Sequence, residues 1–383
     1  MTPMDMPLPS ARASVREGSP LRHVDFVLLL TALGLAVFGV LMIYSATHRS
    51  LLLLGDSPSY YLKRQAVFIV LGAIAMAGTA LFDYTLLKMW APVIYLGSVG
   101  LLFLVRTPLG SSALGSQRWF QIAGFQFSPS LFSRLALILM LAAYLSEIKW
   151  ESTLREVLRA VAIAALPMFL VFIQPDLGTT IILATILVTL LVVAGTRARY
   201  LVVLAAAATL AIYGAFQLNI IKQYQVDRLI GFMDQSKNSQ TANYNLQQSK
   251  IAIGAGGLTG TGYLRGTQTN LDFVPEQHTD FIFTAVGEEF GFVGAGTLLV
   301  LFLILLWRTY RIAMTAKDPF GTYVAAGIAA MFTIQMFINI GMTIGIMPIT
   351  GIPLPFMSYG GSGLIADFIG IGLLESIRIR RYA

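Results

Sequence analysis

Long apolar runs, separated by brief polar punctuation, set the pattern of this chain. They occur at about 24–45, 62–82, 88–105, 131–146, 156–173, 178–195, 199–218, 280–306, 320–346 and 356–377. A helix needs roughly 20 apolar residues to cross a bilayer, and ten such runs predict an all-α polytopic membrane protein. Residues 1–23 read as a polar tail with Pro3, Pro7, Pro9 and Pro20, and 24–383 as a single ten-span membrane domain. The first apolar run is too long for the core of a signal peptide, and no small-residue cleavage site follows it.

Composition sharpens this picture. The chain has 383 residues, 56% hydrophobic and 12% charged, against roughly 45–50% and about 25% in soluble domains. Mean hydropathy is +0.74. These values exclude a disordered chain, a coiled coil and most soluble enzymes. The absence of cysteine excludes disulfides and thiolate chemistry, and His23, His48 and His278 are too few for a histidine-built metal site. The net charge of +7 fits membrane topology and anionic headgroups better than nucleic-acid binding.

Cation placement predicts orientation. Ten spans put both termini on one side. With that side cytoplasmic, the short inner loops carry Lys88, Lys149, Arg155, Arg159, Arg197, Arg199, Arg308, Arg311 and Lys317, and the C-terminus carries Arg378, Arg380 and Arg381. That is the positive-inside arrangement. Two outer segments then stand out: 106–130, and the extracytoplasmic loop 219–279. A connection of that second length is more often functional than structureless. It holds helix-compatible stretches, Gln217–Phe232 and Tyr244–Ile253, and then a glycine run from Gly254 to Gly262. The run has neither a dinucleotide fingerprint nor a Walker A lysine, so nucleotide binding is not supported.

Six groups of residues carry candidate chemistry. Asp280, after Glu276, His278 and Thr279, falls where the eighth apolar run begins. Partial desolvation there makes a carboxylate a better base; equally, Asp280 or Thr279 suits a helix cap. Arg118 beside Trp119 suits a diphosphate or carboxylate ligand, or an interfacial belt with a snorkelling arginine. Asn245, Ser249 and Lys250 share a helical edge, where Lys250 meets a phosphate or only solvent. Gln174-Pro-Asp176-Leu-Gly reads as a tight turn or a cavity wall. Pro348 to Gly361, with Ser358 and Tyr359, interrupts an apolar run at membrane depth, which is tolerated only inside protein or along a wet cavity. Glu288, Glu289 and Asp367 are intramembrane acids, read as proton-coupling groups or a buried hydrogen-bond network.

Two of these stretches, Pro275-Glu-Gln-His-Thr-Asp-Phe-Ile-Phe and Thr350-Gly-Ile-Pro-Leu-Pro-Phe-Met-Ser-Tyr-Gly-Gly361, closely resemble the SEDS family, whose members include RodA, FtsW and SpoVE. So do Gly287-Glu-Glu-Phe-Gly291, Gln174-Pro-Asp-Leu-Gly-Thr, Asn245-Leu-Gln-Gln-Ser-Lys-Ile-Ala-Ile-Gly and Tyr44-Ser-Ala-Thr. The matches run from the first span to the tenth. Asn339-Ile-Gly-Met and Gly266-Thr-Gln look more like the RodA branch. The resemblance implies a ten-span peptidoglycan glycosyltransferase in the bacterial cytoplasmic membrane. Such an enzyme polymerises lipid II, carried on undecaprenyl diphosphate, at the outer face. It implies a class B penicillin-binding protein and other elongation-complex membrane proteins as partners, and an associated divalent cation, Mg2+ or Mn2+. It also implies Asp280 as the essential carboxylate. On this reading Arg118, Lys250, Lys63, Arg64 and Arg134 are the cations available to a leaving diphosphate. The competing classes are a lipid II flippase, a division-type polymerase and a scaffold. The chain departs from the family pattern at Ser128-Pro-Ser-Leu131-Phe-Ser-Arg134, where many members carry glutamate and lysine in place of Leu131 and Arg134.

Overall fold

The computed structural model describes residues 23–113, 116–122, 124–148, 153–217 and 242–381. The N-terminal tail to Arg22, Gly115, Lys149 and the helix-compatible stretch beyond Gln217 lie outside the described residues. Seven helices open the chain: α1 (Phe26–Leu54), α2 (Tyr60–Leu81), α3 (Tyr84–Leu104), α4 (Pro129–Leu145), α5 (Leu154–Ile173), α6 (Leu177–Val193) and α7 (Ala198–Gln217). The short helices α8 (Ala242–Ala255) and α9 (Thr267–Asn270) follow, and then α10 (Ile282–Thr315), α11 (Pro319–Ile344) and α12 (Gly361–Ile379). The ten longer helices, α1–α7 and α10–α12, match the ten apolar runs in order.

Local chemistry sets their ends. Asp25 accepts the Leu28 N–H at the start of α1, and Gly55 closes that helix in the left-handed region at φ 78°. Thr153 and Glu156 form a reciprocal capping box on α5. Asp318 caps α11 ahead of Pro319, and Gly345 ends it at φ 84°. Helix α10 is broken at Gly291 (φ 63°, ψ −159°), a conformation only glycine adopts readily.

Helices α1, α2, α3, α5, α10 and α11 are each long and apolar enough to cross a bilayer. Their outward faces stay apolar: Leu53 is 80% exposed, Phe292 72% and Leu30 68%. A surface this apolar belongs in lipid, and the chain is a multi-pass membrane protein. Helices α11 and α12 are buried along most of their length, and α12 packs against α2, α4 and α1.

Two regions differ from the pattern-based expectation. Segment 106–130 contains an antiparallel sheet of β1 (Ser111–Ala113), β2 (Ser116–Ile122) and β3 (Phe125–Phe127), in order β1-β2-β3. In its second ladder Phe120 faces Phe127 and Gln121 faces Gln126. Gly124 turns the hairpin at φ 80°. Three-residue strands leave no period-2 signal, and β2 has none because its polar and apolar residues do not alternate. The second difference is that α12 starts at Gly361, so residues 345–360 cross the bundle without regular helix. Ser362 ties these regions together, accepting the Ser128 N–H (3.1 Å) and donating to Gln126 O (3.1 Å).

Candidate active site

Asp280 sits in a tight turn rather than in a helix. Glu276 holds a left-handed conformation at φ 54°, and its carbonyl accepts the N–H groups of Thr279 (3.2 Å), Asp280 (3.0 Å) and Phe281 (3.4 Å). The N-cap of α10 is Phe281, with no side-chain cap bond. Neither Asp280 nor Thr279 is therefore used as a cap. Thr279 Oγ1 donates instead to Glu276 O (3.0 Å) and Oε2 (3.1 Å).

The main chain of Asp280 is clamped by Asn339, a fully buried residue of α11. Its Nδ2 donates to Asp280 O (2.9 Å) and to Ile352 O (2.8 Å). This joins the Asp280 turn to the 350–358 segment. Gly351 lies in the left-handed region at φ 73°, and a Cβ there would stand 3.3 Å from Asp280 Oδ2. The carboxylate is thus half-buried, with glycine backbone against one side.

Aromatic rings build one wall. Tyr359 N–H donates to His278 O (2.9 Å). The rings of His278 and Tyr61 lie 4.8 Å apart, Tyr61 and Tyr359 4.9 Å, and His278 and Tyr359 5.7 Å. Burial pushes His278 below its ordinary value, against the opposing pull of Glu276 and Asp272. The imidazole therefore stays neutral to lower pH than a solvated one. Arg64 lies over the rings of Tyr60 (5.0 Å) and Phe125 (5.2 Å), donates to Gly124 O and faces the Tyr359 hydroxyl. Lys63 is exposed at the start of α2. Ser358 is buried, its Oγ accepting the Leu354 N–H (2.8 Å). It shapes the wall rather than facing the opening.

Helix α8 closes another side. Ser249 Oγ is 2.6 Å from Thr284 Oγ1 and donates to Thr343 O (2.8 Å). These bonds fasten α8 to the start of α10 and the end of α11, and set Lys250, the next residue, beside the end of α11. A Cβ at Gly345 would stand 2.7 Å from Lys250 Nζ. Asn245 is half-buried one turn before Ser249.

A second charged cluster lies behind the 350–352 backbone. Arg118 reaches over Trp119 (5.1 Å) and sets Nη1 3.4 Å from Asp176 Oδ2. Asp176 caps α6, accepting Thr179 N–H and Thr179 Oγ1, each at 3.0 Å. It serves as both turn residue and charge partner. A Cβ at Gly178 would fall 2.6 Å from Ile352 Cγ1, so the first turn of α6 packs directly on Ile352. Arg134 is 1% exposed, and its Nε donates to Leu131 O (3.0 Å). That corrects the expectation of Arg134 as a diphosphate contact: packing has sealed it away from any ligand at the mouth.

Glu288 accepts Gln268 N–H (2.7 Å), Thr269 N–H (2.9 Å) and Thr269 Oγ1 (2.7 Å). Glu289 accepts the Ser45 hydroxyl. Both acids of α10 are thus held in buried hydrogen bonds, while among the described residues Oε2 of Glu289 and Oδ1 of Asp367 have no hydrogen-bond partner. Among the described residues no group of three or more His, Asp or Glu is placed to hold a metal ion. Asn339, Gly351, Tyr61 and Gln65, which donates to Ser358 O (3.2 Å), are parts of the site that residue-by-residue reading assigned no role. Gly351 between Thr350 and Ile352 was the available signal, since a glycine in an interrupted span marks close backbone approach.

Residues 25–383 match the model of a cell cycle protein family named for FtsW, RodA and SpoVE. The chain is 36% identical over 361 residues to the peptidoglycan glycosyltransferase MrdB of Escherichia coli K12, covering 94% of each chain. It is 35% identical over 372 residues to a probable peptidoglycan glycosyltransferase FtsW of Trichlorobacter lovleyi, covering 95% of each. Among solved structures it resembles a chain of a peptidoglycan synthase complex that coordinates polymerization and crosslinking, with TM-score 0.79, 27% identity and coverage of 94% of this chain and 98% of that one. It also resembles the rod shape determining protein RodA of Thermus thermophilus, with TM-score 0.69, 27% identity and coverage of 94% and 98%.

Proposed function

We propose, for a chain that belongs to the FtsW/RodA/SpoVE family and is a peptidoglycan glycosyltransferase, that it polymerises lipid II at the outer face of the cytoplasmic membrane with Asp280 as general base. The observation that carries this reading is the Asp280 carboxylate, half-buried against Gly351, with its own backbone clamped by Asn339. A base must be held within hydrogen-bond reach of the proton it takes, and the bonds to Glu276 O and from Asn339 fix the main chain that carries this carboxylate.

In the proposed step Asp280 accepts the proton of the 4-hydroxyl of an incoming N-acetylglucosamine. That oxygen forms a bond to the anomeric carbon of the growing glycan, and the bond from that carbon to undecaprenyl diphosphate breaks. Negative charge grows on the leaving diphosphate and is met by cations at the mouth. Lys250 is held beside the end of α11 through α8, and Arg64 lies on the aromatic wall. The neutral His278 adds a polar ring without a competing charge. A Mg2+ or Mn2+ ion would be held chiefly by the diphosphate, because the described residues form no cage of their own. Its contribution would be to neutralise phosphate charge.

Similarity to a chain of a complex that coordinates polymerization and crosslinking supports a class B penicillin-binding protein as partner. Relatives carry both FtsW and MrdB names. The letters at Gly266-Thr-Gln and Asn339-Ile-Gly-Met favour elongation over division. The basic short loops support cytoplasmic termini. The test is glycan polymerisation by the purified protein with its penicillin-binding partner, lipid II and Mg2+ or Mn2+, beside Asp280→Ala. Polymer from the wild type and none from a folded mutant is expected. Equal polymer from both would remove Asp280 from the mechanism. Polymer from neither, with the partner bound, would favour a lipid II transporter.

A further inference from the structure

Glu288 is a fully buried acid of α10 that the proposed chemistry leaves unused. Burying such a group is costly unless hydrogen bonds meet it, and here three donors do. Its Oε1 accepts the Gln268 N–H (2.7 Å), and its Oε2 accepts the Thr269 N–H (2.9 Å) and Thr269 Oγ1 (2.7 Å). The approach is close because residue 266 is glycine: a Cβ there would fall 2.8 Å from Oε2. The carboxylate thus fastens α9 to α10. The Glu288 carbonyl holds the glycine run as well, accepting the Thr261 N–H (3.0 Å) and Thr261 Oγ1 (3.1 Å).

The hydrogen bonds continue beyond α9. A hydroxyl has one proton to give and lone pairs to receive. Thr269 Oγ1 gives its proton to Glu288 and accepts Gln277 Nε2 at 3.0 Å. Thr269 and Gln277 are both buried. Gln277 lies inside the turn closed on Glu276 O, three residues before Asp280. Among the described residues Gln277 Oε1 has no hydrogen-bond partner, so the bond to Thr269 is what locates this amide. Glu276, its neighbour, is held at φ 54°, and strain of this kind persists only where surrounding groups enforce it. Asn339 clamps the end of the turn at Asp280 O. The chain from Glu288 through Thr269 to Gln277 holds its start.

We propose that Glu288, Thr269 and Gln277 are positioning residues for the polymerase reaction: the buried carboxylate orients the Thr269 hydroxyl, the hydroxyl holds the Gln277 amide, and the turn so anchored aims Asp280. The proposal rests on Asp280 as the catalytic carboxylate. It separates two roles of Glu288. Its bonds from the N–H groups of Gln268 and Thr269 fasten α9, and only its bond from Thr269 Oγ1 leads on to the Asp280 turn.

The test uses the full chain with its penicillin-binding partner and lipid II, reading kcat and KM separately per folded molecule. Thr269→Val keeps both backbone bonds to Glu288 and removes only the hydroxyl. In folded Thr269→Val, kcat should fall roughly tenfold to a hundredfold, as expected for a small misplacement of a catalytic group, with KM within about twofold. Thr269→Ser supplies the hydroxyl again and should recover kcat to within about threefold of wild type. Gln277→Met removes the other partner and should slow turnover to a similar degree. Both changes break one link, so folded Thr269→Val/Gln277→Met should be no more than about threefold slower than the slower single variant. A wild-type kcat in folded Thr269→Val would overturn the proposal. So would a loss confined to KM, a Thr269→Ser as slow as Thr269→Val, or two single losses that multiply in the double variant. Where Thr269→Val fails to fold, Gln277→Met decides: a wild-type kcat overturns the proposal, and a reduced kcat at unchanged KM supports it. Asp280→Asn is measured in parallel. A full rate there defeats the underlying catalytic reading, whereas an inactive Asp280→Asn beside fully active Thr269→Val and Gln277→Met defeats the positioning residues alone.

Discussion

At the end of the bundle that carries Asp25, acid and base are clamped together between regular helices. Asp25 is 1% exposed and accepts from Arg308 Nε (2.8 Å) and Nη2 (2.5 Å), with Arg378 on the same oxygen. Its own N–H donates to Glu375 (3.0 Å). Asp318 caps α11 and accepts the Tyr84 hydroxyl. At the opposite end, around Asp280, the backbone is irregular. Leu264, Asp272, Glu276 and Phe356 all hold left-handed conformations, and Gly351 provides another. The first end joins α1, α10 and α12 by direct ion pairs and behaves as a frame. The second stores strain that the frame must sustain, and it places one half-buried carboxylate beside aromatic rings and cations. Paired buried charges hold helices; strained turns aim side chains.

This contrast can be broken by experiment. The largest effect is expected at Asp280, where alanine should lower turnover by roughly 10²–10⁴ with little change in melting temperature; polymerisation of lipid II and thermal unfolding of the same sample read both. The reverse result is expected at Asp25. Asp25→Ala leaves Arg308 and Arg378 beside a vacant partner and should cost about 3–5 kcal/mol of stability. The rate per folded molecule should stay within about twofold of wild type, and a collapse of that rate would end the distinction between frame and site.

Gly351→Ala should be intermediate and should sharpen the comparison. An alanine at φ 73° with its Cβ 3.3 Å from Asp280 Oδ2 should cost about 1–2 kcal/mol in backbone strain. It should also slow turnover, measured as a lower kcat at saturating lipid II. The smallest effect concerns pH. His278 is shifted below its reference of 6.5 because burial disfavours the imidazolium. In this window the unfolded state binds more protons, so the stability it contributes is present above pH 6.5 and declines as pH falls toward the lower folded value. Melting temperature followed from neutral to mildly acidic pH should fall less steeply in His278→Gln.

Much of the fold was legible and much of the site was not. The ten apolar runs correspond to the ten longer helices in order, with α1 extended to Leu54 and α10 to Thr315. The sheet is hidden because β1 and β3 hold only 3 residues each, and the 7 residues of β2 begin with three polar residues and place Trp119 beside Phe120, so they do not alternate. Asp280 was visible as a carboxylate at the start of an apolar run, yet the same letters suited a cap. What removes the cap is a hydrogen-bond fact, the turn closed on Glu276 O, with Phe281 at the N-cap position. Arg134 reads as a cation available to phosphate, whereas packing with α12 and α6 makes it an interior charge.

The number, order and approximate ends of the spans were carried in the letters. Transfer of about 20 apolar residues into hydrocarbon is favourable for each segment alone, whatever its neighbours do. Which face of each span turns inward was decided by packing. Helices that are apolar all round show no preferred side to a hydrophobic pattern; close fit and polar contacts choose it instead. Gln65 therefore meets Ser358 across 293 positions, and Arg378 meets Asp25 across 353. The Asp280 site, assembled from α2, α8, α11 and two irregular turns, exists only once those distant choices have been made.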